Sequence, residues 1–171
     1  MAIVKYGRHT YGGILLKDRN DRVQNISVGK YCSIAGEVTA VVSGHNHNFV
    51  STFPFLYMKP FKKMKHTNDV LVNYRMSIGN DVWIGRKSLL VGNVTVGDGC
   101  VIGAGSVIRG KIEPYSIMIG NPAQLVGKRF SDEQIEKLLE IQWWHWDDEK
   151  IKENVNLIYS ENIDEFIKEH G

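Results

Sequence analysis

From Ile78 to Ile108 an aliphatic residue recurs at every sixth position: Ile78, Ile84, Leu90, Val96, Ile102 and Ile108. Glycine follows directly at Gly79, Gly85, Gly97 and Gly103. Four residues after each aliphatic stands a compact side chain: Val82, Ser88, Val94, Cys100, Ser106 and Ile112. A period of six matches neither a helix, at about 3.6, nor a half-buried strand, at about 2. It matches a chain wound into a coil of short flat faces, one face per hexapeptide, so that every sixth side chain returns to the interior. The expected fold is an all-β solenoid.

The same rhythm runs through residues 26–42, where Val28-Gly29 and Ile34-Ala35 start hexapeptides and Cys32 and Val38 take the compact positions. Residues 2–25 are degenerate, and Ile3, Val4, Ile14 and Leu16 read as an irregular first coil closing the end of the core. Over residues 43–77 the rhythm stops, and at Ile78 it resumes in phase. So long an interruption inside a regular coil marks a functional loop. Its aromatics, Phe49, Phe53, Phe55, Tyr57 and Phe61, argue against disorder.

Beyond Ile108 the pattern loosens, and helical signals begin near Ser131. Ser131 and Gln134 form a capping box, with Phe130 placed to staple onto Ile135. Ile135, Leu138 and Leu139 make an apolar stripe that needs a partner. Asp147 caps a second helix, the run at 162–170 predicts a third, and Trp143, Trp144 and Trp146 read as packing anchors. The expected division is a coil domain over 1–129, with its insertion at 43–77, and a helical extension over 130–171.

Composition narrows the partners. A net charge of +2 supplies no field for nucleic acid or an anionic membrane surface. No run approaches the roughly 18 apolar residues a membrane span needs, and MAIVKYGRHTYGG carries no cleavage signal, so a cytoplasmic location is expected. Cys32 and Cys100 both hold compact interior positions, which favours packing over a disulfide. Among six histidines, His45 and His47 stand at the entry to the insertion. An imidazole on the edge of a rigid scaffold, facing an adaptable loop, is well placed as a general base. The basic run Lys59, Lys62, Lys63, Lys65 offers contacts to an anionic acceptor, although such a run is more often a solvated face.

Six segments carry a resemblance: GKYCSIA at 29–35, GHNHNFVSTFPF at 44–55, NDVWIG at 80–85, VGDGCVIGAGSVI at 96–108, PYSIMIGNPAQLV at 114–126 and RFSDEQIEKLLEIQWWHWDDEKI at 129–151. Together they resemble the hexapeptide-repeat acyltransferases of the xenobiotic acetyltransferase branch, which acetylate chloramphenicol and streptogramins and stand close to many sugar acetyltransferases. The resemblance implies a left-handed parallel β-helix, a homotrimer with active sites between subunits, acetyl-CoA as donor and no metal. A loop histidine would deprotonate the acceptor hydroxyl or amine, which attacks the thioester directly. Five residues separate that histidine from the Ser of the S-T-aromatic-P-F motif in similar sequences, which selects His45, with His47 the alternative. The donor would meet Trp83, Gly85 and Arg86 on one coil and Gly103 and Ala104 on the next. Arg109 and Gly110 would follow, standing where relatives often read Thr-Lys. Lys128 and Arg129, just past GNPA, would face the nucleotide phosphates. A backbone N–H near Gly85 or Arg86 would hold the developing oxyanion, and Phe49, Phe53 and Phe55 would wall the acceptor.

The function expected is an acetyl-CoA-dependent O- or N-acetyltransferase acting on a sugar or nucleotide-linked sugar. An antibiotic acceptor is the alternative. A remote alternative is a zinc hydrase of the carbonic anhydrase type, with His45, His47 and His66 meeting between subunits.

Overall fold

The computed structural model describes residues 3–16, 25–53, 55, 70–72 and 75–171. Five strands precede the insertion: β1 (Ile3–Tyr6), β2 (Leu15–Leu16), β3 (Asn25–Val28), β4 (Ser33–Ile34) and β5 (Thr39–Val41). β6 (Ser43–His45) and β7 (Val70–Val72) belong to it. The coil resumes with β8 (Met76–Ile78), β9 (Trp83–Ile84), β10 (Leu89–Val96), β11 (Val101–Ile102), β12 (Val107–Ile112), β13 (Ser116–Gly120) and β14 (Ala123–Lys128). Three helices follow: α1 (Asp132–Ile141), α2 (Asp148–Ile158) and α3 (Ile163–His170), with a 3-10 turn at Trp143–His145.

The strands form a curled parallel sheet with three flat faces. Met76 pairs with Val94, Trp83 with Val101 and Leu89 with Val107, each partner lying three hexapeptides further along. β10 and β12 each run round a corner and so serve two faces. Across the insertion, Val28 pairs with Ile78, Ser33 with Trp83 and Thr39 with Leu89, which is why the rhythm resumes in phase. The degenerate first coil still docks on every face: β1 on β3, Tyr11 on Ser33, and β2 on β5.

All twelve repeat positions from Ile78 to Ile112 are buried. The compact ones do more than fill space. Ser88 Oγ donates to the Gly85 carbonyl at 2.8 Å and the Gly103 carbonyl at 3.0 Å. The Cys32 thiol donates to Gly79 O, and the Cys100 thiol to Glu113 O, both at 3.1 Å. Corner carbonyls lie off the strand ladder, and a short interior donor spares each one an unpaired burial. Burial pushes the Cys100 thiol up to about 11, and both cysteines are free.

The corners divide two duties. The glycine that follows four of the six aliphatics from Ile78 to Ile108 permits close stacking: a Cβ on Gly97 would lie 2.6 Å from the Pro114 nitrogen. At one corner of successive coils the bend itself comes in left-handed backbone at Tyr31, Asp81, Gly99 and Tyr115 (φ 57°, 53°, 69° and 58°). Three of those four are not glycine, so the stack imposes a conformation that their side chains disfavour.

β14 turns antiparallel to β13 through a cis Asn121–Pro122 bond, ending the parallel stack. α1 then starts at the expected capping box, with Ser131 and Gln134 each bonding the other's backbone N–H. Asp147 caps α2 and Asn162 caps α3 through their side chains. The stripe of α1 finds its partner in a second core of Tyr115, Ile135, Leu138, Trp144 and Phe166, in which Tyr115 comes from the coil. Polar clips hold the tail to the first coils: Arg8 donates to the Trp146 carbonyl at 2.7 Å, and His9 Nε2 lies 2.9 Å from Asp148. Among the described residues no helix is long and apolar enough to cross a membrane.

Candidate active site

The insertion leaves the coil after β5 and opens with an antiparallel ribbon, β6 against β7, in which His45 stands opposite Val70. That pairing fixes the His45 backbone where the rigid coil ends, and its side chain is exposed. His47 is also exposed but lies beyond the ribbon. The chain after it is tightened by short side chains. Asn46 Oδ1 accepts from the Asn48 amide at 3.0 Å, and Ser51 Oγ from the Phe53 amide at 3.1 Å. Phe53 and Phe55 meet edge to face, ring centres 4.9 Å apart, and Phe49 is partly exposed nearby in sequence. Tyr57, Phe61, His66 and the run Lys59, Lys62, Lys63, Lys65 lie outside the described residues.

The residues expected at the donor fall in separate places. Trp83 projects from β9 at 56% exposure and lines a recess of about 280 Å³ with Ser33, Val101 and Arg129. At the following corner Gly85 stacks on Ala104, so closely that a Cβ on Gly85 would lie 2.5 Å from the Ala104 nitrogen. Arg86 is exposed there, its Nε 3.7 Å from Glu37, and Gly103 begins the matching corner of the next coil. Arg109 and Gly110 sit within β12 at the third corner, next to β10. The insertion returns at this corner, where the Arg75 amide donates to Asn93 Oδ1 at 2.8 Å. Thus Arg109 and Gly110 share a corner with the root of the insertion. His45 and the Gly85–Arg86 corner stand on different edges of one chain's coil.

Two of the expected groups are already engaged within the fold. The Gly85 amide donates to the Ile102 carbonyl at 2.8 Å, so the ladder has already claimed it. The Arg86 amide makes no hydrogen bond among the described residues. Arg129, expected at phosphates, is turned into the junction between coil and tail. Its Nη1 donates to Asp81 Oδ2 at 2.9 Å and Gly99 O at 2.8 Å, and its guanidinium covers the Tyr115 and Phe130 rings. Lys128 remains on the surface, paired with Asp132.

This junction was hidden in the sequence. Burial raises the Asp81 carboxyl above its ordinary range, and Arg129 pulls it partly back. The Tyr115 phenol is pushed up by burial and then by the charge of Asp81. The only signal was positional: Tyr31, Asp81 and Tyr115 occupy the same place in their hexapeptides. Among the described residues no group of three or more His, Cys, Asp or Glu side chains is placed to hold a metal ion.

Known proteins share this pattern. The family described as bacterial transferase hexapeptide (six repeats) matches residues 75–110. A chloramphenicol acetyltransferase of Klebsiella aerogenes is 36% identical over 177 residues, covering 94% of this chain and 84% of the relative. A probable macrolide acetyltransferase of Lysinibacillus sphaericus is 41% identical over 138 residues, covering 78% of this chain and 77% of the relative. The solved structure of a galactoside acetyltransferase in complex with coenzyme A is 25% identical, with a TM-score of 0.51. The match covers 75% of this chain and 60% of that one.

Proposed function

Because this chain belongs to the xenobiotic acetyltransferase branch of the hexapeptide-repeat acyltransferases, we propose that it moves the acetyl group of acetyl-CoA to a hydroxyl or amino group of a small acceptor, with His45 as general base. The observation that carries this reading is the seating of His45 in the β6–β7 ribbon, where the insertion leaves the coil.

His45 takes the acceptor's proton as its oxygen or nitrogen bonds to the acetyl carbonyl carbon. The Arg86 N–H supports the oxyanion. The carbon–sulfur bond then breaks, and the departing thiolate recovers the proton held on His45. Acetyl-CoA runs along the coil where Gly85, Gly103 and Ala104 leave the backbone approachable. Trp83 flanks the donor, Arg109 and Gly110 meet it near the insertion, and Lys128, rather than Arg129, faces its phosphates.

The coil over 1–129 is a left-handed parallel β-helix, and 130–171 is its helical extension. His45 and Arg86 stand on separate corners, so one subunit's histidine serves a neighbour's donor groove within a homotrimer. Exposed Leu15, Val41 and Leu89 on one face, with Leu125 and Val126 on β14, supply apolar area for the subunit contacts. The enzyme works in the cytoplasm.

Phe49, Phe53 and Phe55 wall the acceptor. Relatives named for chloramphenicol and macrolides, at 36% and 41% identity, favour an antibiotic with an apolar body. A sugar acceptor is the second reading, supported by the likeness to the galactoside acetyltransferase. The test pairs a thermal shift with acetyl-CoA and thiol release over chloramphenicol, a macrolide, amino sugars and nucleotide sugars. Donor at 100 times its Kd should stabilise the fold by about 2.7 kcal/mol. Neither a shift nor thiol release with any acceptor would overturn the reading.

A further inference from the structure

Under the tail lies a cleft that acetyl transfer leaves unused. Its volume is about 420 Å³, within the range that holds small-molecule ligands. The coil corner contributes Tyr31, Asp81 and Tyr115, and the tail contributes Leu138, Trp143 and Phe166. The floor is polar. Tyr31 and Tyr115 each carry a buried hydroxyl with no partner among the described residues, and Tyr115 is only 1% exposed. Buried hydroxyls are nearly always paired, so two orphans beneath one cleft point to a missing partner.

Charge narrows that partner. Asp81 and Arg129 neutralise one another at 2.9 Å, and the same Arg129 nitrogen is also engaged by Gly99 O. An anion meets Asp81 on the floor and Glu161 at the rim, while a cation meets Arg129 on the floor. The apolar walls favour a hydrocarbon body. We propose that this cleft is a second binding site for a small uncharged molecule, with an apolar body of about ring size and one hydroxyl or carbonyl that pairs with Tyr115 and Tyr31. Such a ligand bridges coil and tail and holds them together.

Phenol is the probe, with toluene as its counterpart lacking the hydroxyl. Binding to the full chain is read by ligand-observed NMR, by tryptophan fluorescence and in soaked crystals. Phenol should bind saturably at one site per chain and at least about tenfold more tightly than toluene. Tyr115→Phe should erase that difference, and Glu161→Trp, an exposed change at the mouth, should weaken both ligands while acetyl transfer is unaffected. If Tyr115→Phe fails to fold, the Glu161→Trp comparison decides alone. The proposal falls if phenol does not saturate or binds no better than toluene, if Glu161→Trp changes nothing, or if crystals show only water on the two hydroxyls.

Discussion

Arg129 reaches from the end of β14 to Asp81 at the head of β9, Nη1 to Oδ2 at 2.9 Å, and ties the tail to a coil 48 residues earlier. Breaking a fully buried pair costs about 3–5 kcal/mol. Here the side chains are 29% and 27% exposed, so solvent screens part of that. Arg129→Met is expected to lose about 1–3 kcal/mol of unfolding free energy in urea. It should leave the KM for acetyl-CoA unchanged at temperatures where it stays folded. A raised KM with unchanged stability would return Arg129 to the phosphates.

Two carboxyls make opposite pH predictions. Burial raises Asp81 above 3.8 in the folded state. The folded chain therefore holds that proton more tightly, and the Asp81 contribution to stability falls as pH rises from about 3.8 through its folded value. His9, then Arg8, lowers Asp148 below 3.8, so its contribution is present above 3.8 and is lost as pH falls through the folded value. Melting temperatures from pH 3 to 6 test this. The gap between wild type and Asp81→Asn should shrink with rising pH, and that for Asp148→Asn should grow. Slopes of the same sign would contradict the assignment.

Glycines of the coil should divide sharply. A Cβ on Gly97 would sit 2.6 Å from the Pro114 nitrogen, so Gly97→Ala must shift the stack and should cost about 1–3 kcal/mol. Gly105 has φ +69° with nothing within 4 Å of a Cβ, and Asn tolerates that backbone. Gly105→Asn should change stability little. Equal losses in chemical unfolding would mean that stacking distance is not what glycine secures.

Much of this was readable from spacing. The period of six located both sets of interior positions, and its return in phase at Ile78 implied that β8 would stack on β3 across the insertion. Ser131 and Asp147 were legible as caps because capping is local. The left-handed bends at Tyr31, Asp81 and Tyr115 were not, because neither tyrosine nor aspartate announces a backbone state that stacking imposes. Arg129 looked like a surface cation, since its partner is set by coil geometry rather than by neighbours in the chain. The ribbon that seats His45 was equally hidden, because β7 lies where the rhythm is silent.

The proposed sharing of the site between subunits predicts complementation. His45→Ala removes the base and Ala104→Trp fills the donor corner, so each pure variant should be inactive. Unfolded together and refolded as mixed trimers, they should recover about a quarter of wild-type activity, the chance that one interface pairs an intact histidine with an intact groove. No recovery from mixed trimers that bind acetyl-CoA would place the whole site within one chain.

The most direct test of His45 as the base is thiol release from acetyl-CoA by His45→Ala and His47→Ala, with an acceptor that supports wild-type turnover. His45→Ala should keep the acetyl-CoA thermal shift and lose at least about a hundredfold in kcat, while His47→Ala stays near wild type. A hundredfold loss in His47→Ala, with His45→Ala still active, would contradict the account.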